Sequence, residues 1–200
     1  APSVLASHSP IAPSRRVVVV LAARTINVLV LGPQGSGKGT QAKRISAVYG
    51  VPHVSTGDMF RAAVAAGTEL GLRVEPILAS GELVPDELTI ALIRDRLSQD
   101  DASTGFVLDG FPRNIVQAEE LDEMLVTIGR PLDTVLFFDL DDETATLRLH
   151  GRARDEDRAD DAPEVIARRL AIYHEQTEPV VERYRAAGTL RVLDASRSVD

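Results

Sequence analysis

Lys38 and the glycines around it are the residues best placed to do chemistry. The run Leu31-Gly32-Pro33-Gln34-Gly35-Ser36-Gly37-Lys38-Gly39-Thr40 follows an apolar stretch, Ile26–Leu31, and precedes a stretch patterned like a helix. A strand, a glycine-rich loop and a helix start form the setting that a phosphate-binding loop needs. The glycines let the backbone curl with its N–H groups facing inward. Such a row of donors, at the positive end of a helix dipole, holds an anion. Lys38 adds a mobile positive charge for the outer phosphates. The loop departs from the general G-x-x-x-x-G-K-[ST] pattern, because Gly39 stands where the hydroxyl is expected and Thr40 comes one later. The run implies a bound nucleoside triphosphate and leaves the reaction open.

Two further segments carry candidate chemistry. Ser55-Thr56-Gly57-Asp58-Met59-Phe60-Arg61 suits a helix N-terminus with an arginine one turn inside. It reads either as a second anion site or as a capped helix with an exposed arginine. Gly105-Phe106-Val107-Leu108-Asp109-Gly110-Phe111-Pro112-Arg113 ends an apolar strand on an aspartate. Beside a phosphate loop, that carboxylate is placed to bind Mg²⁺ directly or through water. Arg113 can grip a phosphate at two points, which a lysine cannot do. The alternative is a turn aspartate that caps the next helix.

The elements that must position these residues follow from periodicity. Ile26–Leu31, His53–Val54, Phe106–Asp109, Thr134–Asp139 and Leu190–Leu193 read as short buried strands. Lys38–Tyr49, Asp86–Ser98, Gln117–Thr127, Asp142–Leu149 and Pro163–Glu175 read as helices, with Pro163 at a first-turn position. This alternation predicts a parallel sheet covered by helices on both faces, with ligands at the carboxyl ends of the strands. Residues 55–84 break the alternation with two helical stretches and no strand. Residues 151–162 are almost wholly charged and read as a surface loop or a lid.

Composition narrows the classes. The 200 residues, 44% of them hydrophobic, suffice for one domain with a sizeable core. A net charge of -8 argues against a general nucleic-acid or membrane surface. The absence of cysteine excludes a disulfide, a cysteine nucleophile and a Cys-ligated zinc. No apolar stretch approaches the roughly 20 residues that cross a bilayer. Residues 1–25 are rich in Ala, Ser, Pro and Val, carry arginines and lack acids. They match a transit peptide in composition, and are expected to be a disordered extension or upstream sequence read into the chain.

Taken in order, the motifs resemble the adenylate kinases. The likeness runs from about Ile26 to Val199. It continues with Gly81-Glu82-Leu83-Val84-Pro85-Asp86-Glu87, Gly151-Arg152, Arg158-Ala159-Asp160-Asp161 and Arg168-Arg169-Leu170. The resemblance implies an α/β fold of the P-loop NTPase type, in three layers around a five-stranded parallel sheet. The core would comprise 26–54, 85–150 and 163–200, with a helical AMP-binding insert at 55–84 and a short lid at 151–162. The implied reaction is ATP + AMP ⇌ 2 ADP with Mg²⁺. By motif, Gly35, Ser36, Gly37, Lys38, Gly39 and Thr40 would cradle the ATP phosphates. Thr56, Arg61, Gly110, Arg113 and Gln117 would hold AMP, with Leu83 and Val84 near its base. Arg148 and Arg152 on the ATP side, and Arg158 and Arg169 on the AMP side, would surround the transferring group with Lys38 and Arg113. Asp109, joined by Asp58, would position Mg²⁺ through water. The backbone near Arg197 would meet the adenine of ATP. The family implies a cytoplasmic monomer with nucleotides as its only partners, no nucleic acid and no membrane; a transit peptide would redirect it to an organelle. The lid is too short, and without cysteine, for a structural zinc.

Two alternatives stand beside this reading. A UMP/CMP kinase shares Phe111-Pro112-Arg113-Asn114, but Thr56 and Gln117 favour adenine. A nucleotide-binding module that no longer catalyses is the other, because the chain stops soon after Leu190–Leu193, where the family adds a final helix. A truncated record of an active enzyme is the expectation, since every phosphate-contacting position is intact. A switch GTPase is disfavoured by the lack of an Asn-Lys-x-Asp segment.

Overall fold

The computed structural model describes residues 26–156 and 162–197. The extension at 1–25 and residues 157–161 of the segment read as a lid, Arg158 among them, lie outside those residues. The strands β1 (Ile26–Leu31), β2 (His53–Ser55), β3 (Gly105–Asp109), β4 (Thr134–Asp139) and β5 (Leu190–Asp194) form one sheet in the order β2-β3-β1-β4-β5. Every pairing is parallel. Val30 of β1 lies opposite Asp109 of β3, and Ser55 of β2 does too, so the predicted site residues share the carboxyl edge.

Period-two alternation sends β1 to both sides of the sheet. Leu29 and Leu31 join Phe106, Leu108, Ile93, Leu121, Leu125 and Val180 on one face. Val28 and Val30 join Ala42, Val107, Ala145, Leu149, Ile166 and Leu170 on the other. The helices covering these faces are α1 (Lys38–Tyr49), α4 (Asp86–Leu97), α5 (Ile115–Thr127), α6 (Asp142–Glu156), α7 (Pro163–Ile172) and α8 (Glu178–Ala186). Helices α2 (Thr56–Ala65) and α3 (Glu69–Ser80) keep a small core of their own around Phe60, Val74 and Val84. The two helical stretches expected in 55–84 are therefore present, and their small core leans on Leu88 and Leu92 of α4.

The boundaries differ from expectation by two residues or more in three places. Helix α6 runs to Glu156, seven residues past the predicted end at Leu149. Arg152 and its neighbours are strong helix formers, and one glycine at 151 costs only about 1 kcal/mol, so the charged segment begins inside a helix. The helix predicted over Pro163–Glu175 leaves α-geometry at Ile172 for a π-turn, Tyr173–Thr177. Helix α8, with Pro179 in its first turn, follows at once and was not anticipated. Asn114 caps α5, its side chain accepting from the Gln117 N–H at 2.9 Å, and so starts that helix two residues early.

Candidate active site

The glycine loop joins β1 to α1 and hugs α6. Gly35 has φ +83°, and a Cβ there would lie 2.7 Å from the Ala145 carbonyl oxygen. Both the left-handed backbone and the close approach demand glycine. A Cβ at Gly39 would stand 3.4 Å from Asp109 Oδ2. That is ordinary van der Waals contact, so the residue directly after Lys38 lies against the Asp109 carboxylate.

A cavity of about 520 Å³ opens over the loop. Gly35, Gly37, Lys38, Gly39, Thr40, Asp58, Arg61, Asp109, Arg113, Arg148, Arg152 and Arg169 all line it. Arg152 sits one turn beyond Arg148 on α6, so the two share a face. Lys38 Nζ donates to the Pro33 carbonyl at 3.0 Å. Desolvation pushes its ammonium down to about 8; Asp109 opposes this, and Arg113, Arg169 and Arg152 add to it. Burial likewise lowers Arg113 to about 10, with Arg169 crowding it. Such mutual repulsion among cations marks a surface arranged for a polyanion. Asp109 is 7% exposed. Burial pushes its carboxyl up, but the bond to His53 and the charges of Lys38 and Arg113 outweigh it and hold the carboxyl below its ordinary range. His53 Nε2 lies 3.4 Å from Asp109 Oδ2.

A second recess adjoins the first, sharing Gln34, Gly57, Arg61, Gly110, Arg113 and Arg169 with it. Thr56, Leu83, Val84 and Gln117 line only this one. Thr56 donates its hydroxyl to the Gly110 carbonyl at 2.9 Å. Arg113 is held from three sides: its N–H donates to Gln117 Oε1 at 2.8 Å, its Nε to Gly110 O at 2.9 Å, and its carbonyl accepts from Thr177 Oγ1 at 2.8 Å. A third recess beyond the loop is lined by Ser36, Gly37, Arg148, Phe138, Leu193 and Arg197. Arg148 pins that region by donating to the carbonyls of Ala195, Ser196 and Arg197 at 2.8–3.2 Å.

Every described residue of the predicted site therefore lines one of three adjoining recesses. Asp58 reaches the central one, but its carboxylate is paired with Arg61. Asp109 is the carboxylate on the floor, beside Lys38, and suits a hydrated divalent cation. Among the described residues no group of three or more His, Cys, Asp or Glu is arranged to hold a metal by itself. The sequence reading did not single out Gln34, His53 and Thr177. Their only signal would have been polar types where core residues were expected: Gln34 and Thr177 are buried and His53 half-buried.

A parallel sheet with a phosphate loop at its carboxyl edge and a cationic floor between two recesses defines a P-loop phosphotransferase. The comparisons narrow the class. A family model described as adenylate kinase matches residues 30–189. The adenylate kinase of Parvibaculum lavamentivorans (strain DS-1) is 49% identical over 178 residues, 88% of this chain and 87% of that protein. That of Thermobifida fusca (strain YX) is 51% identical over 170 residues, covering 85% and 90%. That of Stenotrophomonas maltophilia (strain R551-3) is 46% identical over 175 residues, covering 88% and 94%. The chain belongs to the adenylate kinase family.

Proposed function

We propose that this protein catalyses ATP + AMP ⇌ 2 ADP. The observation that carries the reading is the cationic floor. Lys38, Arg113, Arg152 and Arg169 meet between a recess over the phosphate loop and a recess lined by Gln117, Leu83 and Val84. ATP would lie on the loop, with its adenine toward the Arg148–Arg197 recess. AMP would lie against Thr56, Arg61 and Gln117. The attacking group is a phosphate oxygen, ionised at neutral pH, so no protein base is needed. The chain supplies positioning and fixed positive charge where the transferring group spreads its negative charge. The backbone of the loop orients the donor phosphates. Arg113, held by Gln117, Gly110 and Thr177, offers a guanidinium that need not reorganise. Asp109 and Asp58 would hold Mg²⁺ through water, and the ion neutralises charge on the phosphate oxygens.

Residues 55–84 serve in this reading as the AMP-binding insert, and 151–162, with Arg158, as the short lid that excludes water before transfer. The protein works as a cytoplasmic monomer. No described helix is long and apolar enough to cross a membrane. The test is a coupled ADP-formation assay with AMP, CMP, UMP and GMP as acceptors and Mg²⁺ present or chelated. Rapid, Mg²⁺-dependent turnover of AMP is expected. Preference for CMP, or ATP binding without turnover, would overturn the proposal.

A further inference from the structure

Gln117 is 1% exposed, and both ends of its amide are engaged by groups of opposite character. Its Oε1 accepts from the Arg113 backbone N–H at 2.8 Å. Its Nε2 donates to Asp86 Oδ1 at 2.7 Å, across 31 residues of chain. A backbone N–H can only donate and an ionised carboxylate can only accept. Rotating the amide by half a turn would set NH₂ against N–H and oxygen against carboxylate, leaving two buried clashes. Asp86 also accepts from Asn114 Nδ2 at 2.9 Å, and Asn114 in turn caps the helix that carries Gln117. The carboxylate is anchored at the start of α4, where the helix dipole favours an anion.

We propose that Asp86 is a positioning residue for base selection: it holds the Gln117 amide in one orientation and so makes that amide discriminate. The proposal rests on AMP occupying the recess that Gln117 lines. After its two internal bonds the amide keeps one Nε2–H and one Oε1 lone pair. Adenine matches that pair, with its 6-amino group donating and N1 accepting. A 6-oxo purine in the same pose presents an acceptor at position 6 and a donor at N1, the reverse pattern. Only a rotated amide would accept it, and Asp86 with the Arg113 N–H opposes rotation. A site whose buried polar groups would be left mismatched rejects the wrong ligand strongly.

The test compares Asp86→Ala, which removes the acceptor, with Asp86→Asn, whose carbonyl oxygen can still receive Gln117 Nε2. Steady-state kinetics are measured with AMP and with IMP, at saturating ATP, and KM for ATP is measured in parallel. For Asp86→Ala, KM for AMP should rise about tenfold and the AMP-over-IMP preference in kcat/KM should fall about tenfold. Its kcat and its KM for ATP should stay within about twofold. Asp86→Asn should keep the preference within about threefold of the parent. An active parent with an unchanged preference in Asp86→Ala overturns the inference alone. Equal loss in Asp86→Ala and Asp86→Asn overturns it as well, by pointing to charge instead of orientation. A parent that forms no ADP from AMP overturns the functional reading itself. Should Asp86→Ala fail to fold, the ¹⁵N–¹H spectrum of the parent decides. One Gln117 side-chain amide proton should lie downfield and resist exchange with solvent, and an ordinary, freely exchanging pair overturns the proposal.

Discussion

The two sides of the central cavity are built in opposite ways. On the phosphate-loop side the backbone does the work. Its conformation is set by glycines, and the buried side-chain atoms Gln34 Oε1 and Ser36 Oγ make no hydrogen bond among the described residues. Lys38 spends one bond on a carbonyl only five residues away. On the Gln117 side the work is done by side chains already bonded to one another. Asp86, Asn114, Gln117, Thr56 and Thr177 are tied to the backbone of Gly110 and Arg113, and bonds join segments as far as 64 residues apart. The phosphates of every nucleotide are alike, so a curved row of N–H groups with one lysine beside it can hold them whatever the base. Bases differ by single donors and acceptors, and reading them requires polar groups that cannot rotate. In the proposed reading, binding strength is placed on one side and discrimination on the other.

Substitutions on the two sides should separate accordingly. The largest effect is expected on the loop side. Lys38→Met should lower kcat by about a thousandfold while the fold persists, as loss of a preorganised charge at a developing anion does elsewhere; stopped-flow or coupled assays check it. A loss below tenfold would mean that the loop backbone alone carries the phosphates. Next comes the discriminating side. Gln117→Ala should raise KM for AMP by about thirtyfold and leave KM for ATP nearly unchanged. A parallel rise in both constants would erase the distinction between the sides.

The pH dependence of ATP binding sharpens the comparison further. Lys38 is lowered to about 8 in the free protein, so its ammonium is intact below that pH and lost above it. Bound polyanion favours the charged form. Affinity should therefore be level up to about pH 8 and weaken by up to about tenfold per pH unit beyond it, until the ammonium of the complex itself titrates. Calorimetric titration between pH 6 and 10 reads this directly. AMP affinity should change less over the same range.

The smallest effect is expected away from the cavity. His174 lies between Glu178 and Asp142, with ring nitrogens at 3.0 Å and 2.9 Å, and these bonds raise its pKa above the ordinary value. The stabilisation is fully present below pH 6.5 and is lost as pH rises through the raised value. The groups are exposed, so His174→Gln should cost only about 2 °C in Tm at pH 5.5 and nothing at pH 9. Differential scanning calorimetry at both values checks the sign, and kinetics at pH 8 should be unaffected.

How much was legible in advance depends on how local the cause is. The strand, glycine loop and helix at 26–49 follow from contiguous residues, and the structure places them as read. Asp109 and Arg113 were legible because an aspartate that ends a buried strand must emerge at the sheet edge. Helix α8 was not, because the helix read over Pro163–Glu175 stops inside the π-turn at Tyr173–Thr177, and the nine-residue segment after it, opening Glu178-Pro179, carries too short a pattern to stand as a helix by itself. The contact of His53 with Asp109 was missed for a different reason. It joins neighbouring strands 56 residues apart, and nothing in either segment names the other.

The sequence by itself determined that a phosphate-binding loop opens a parallel α/β domain, and that arginines at 61, 113, 148, 152 and 169 are available to it. Local backbone demands and hydrophobic alternation suffice for that. Only the tertiary structure decided how those charges are spent. The order β2-β3-β1-β4-β5 brings Ser55, Asp109 and the loop to one edge. The start of α4 then delivers the Asp86 carboxylate to the Gln117 amide. Hydrogen bonds between distant segments depend on angstrom-scale placement, which no spacing along the chain encodes.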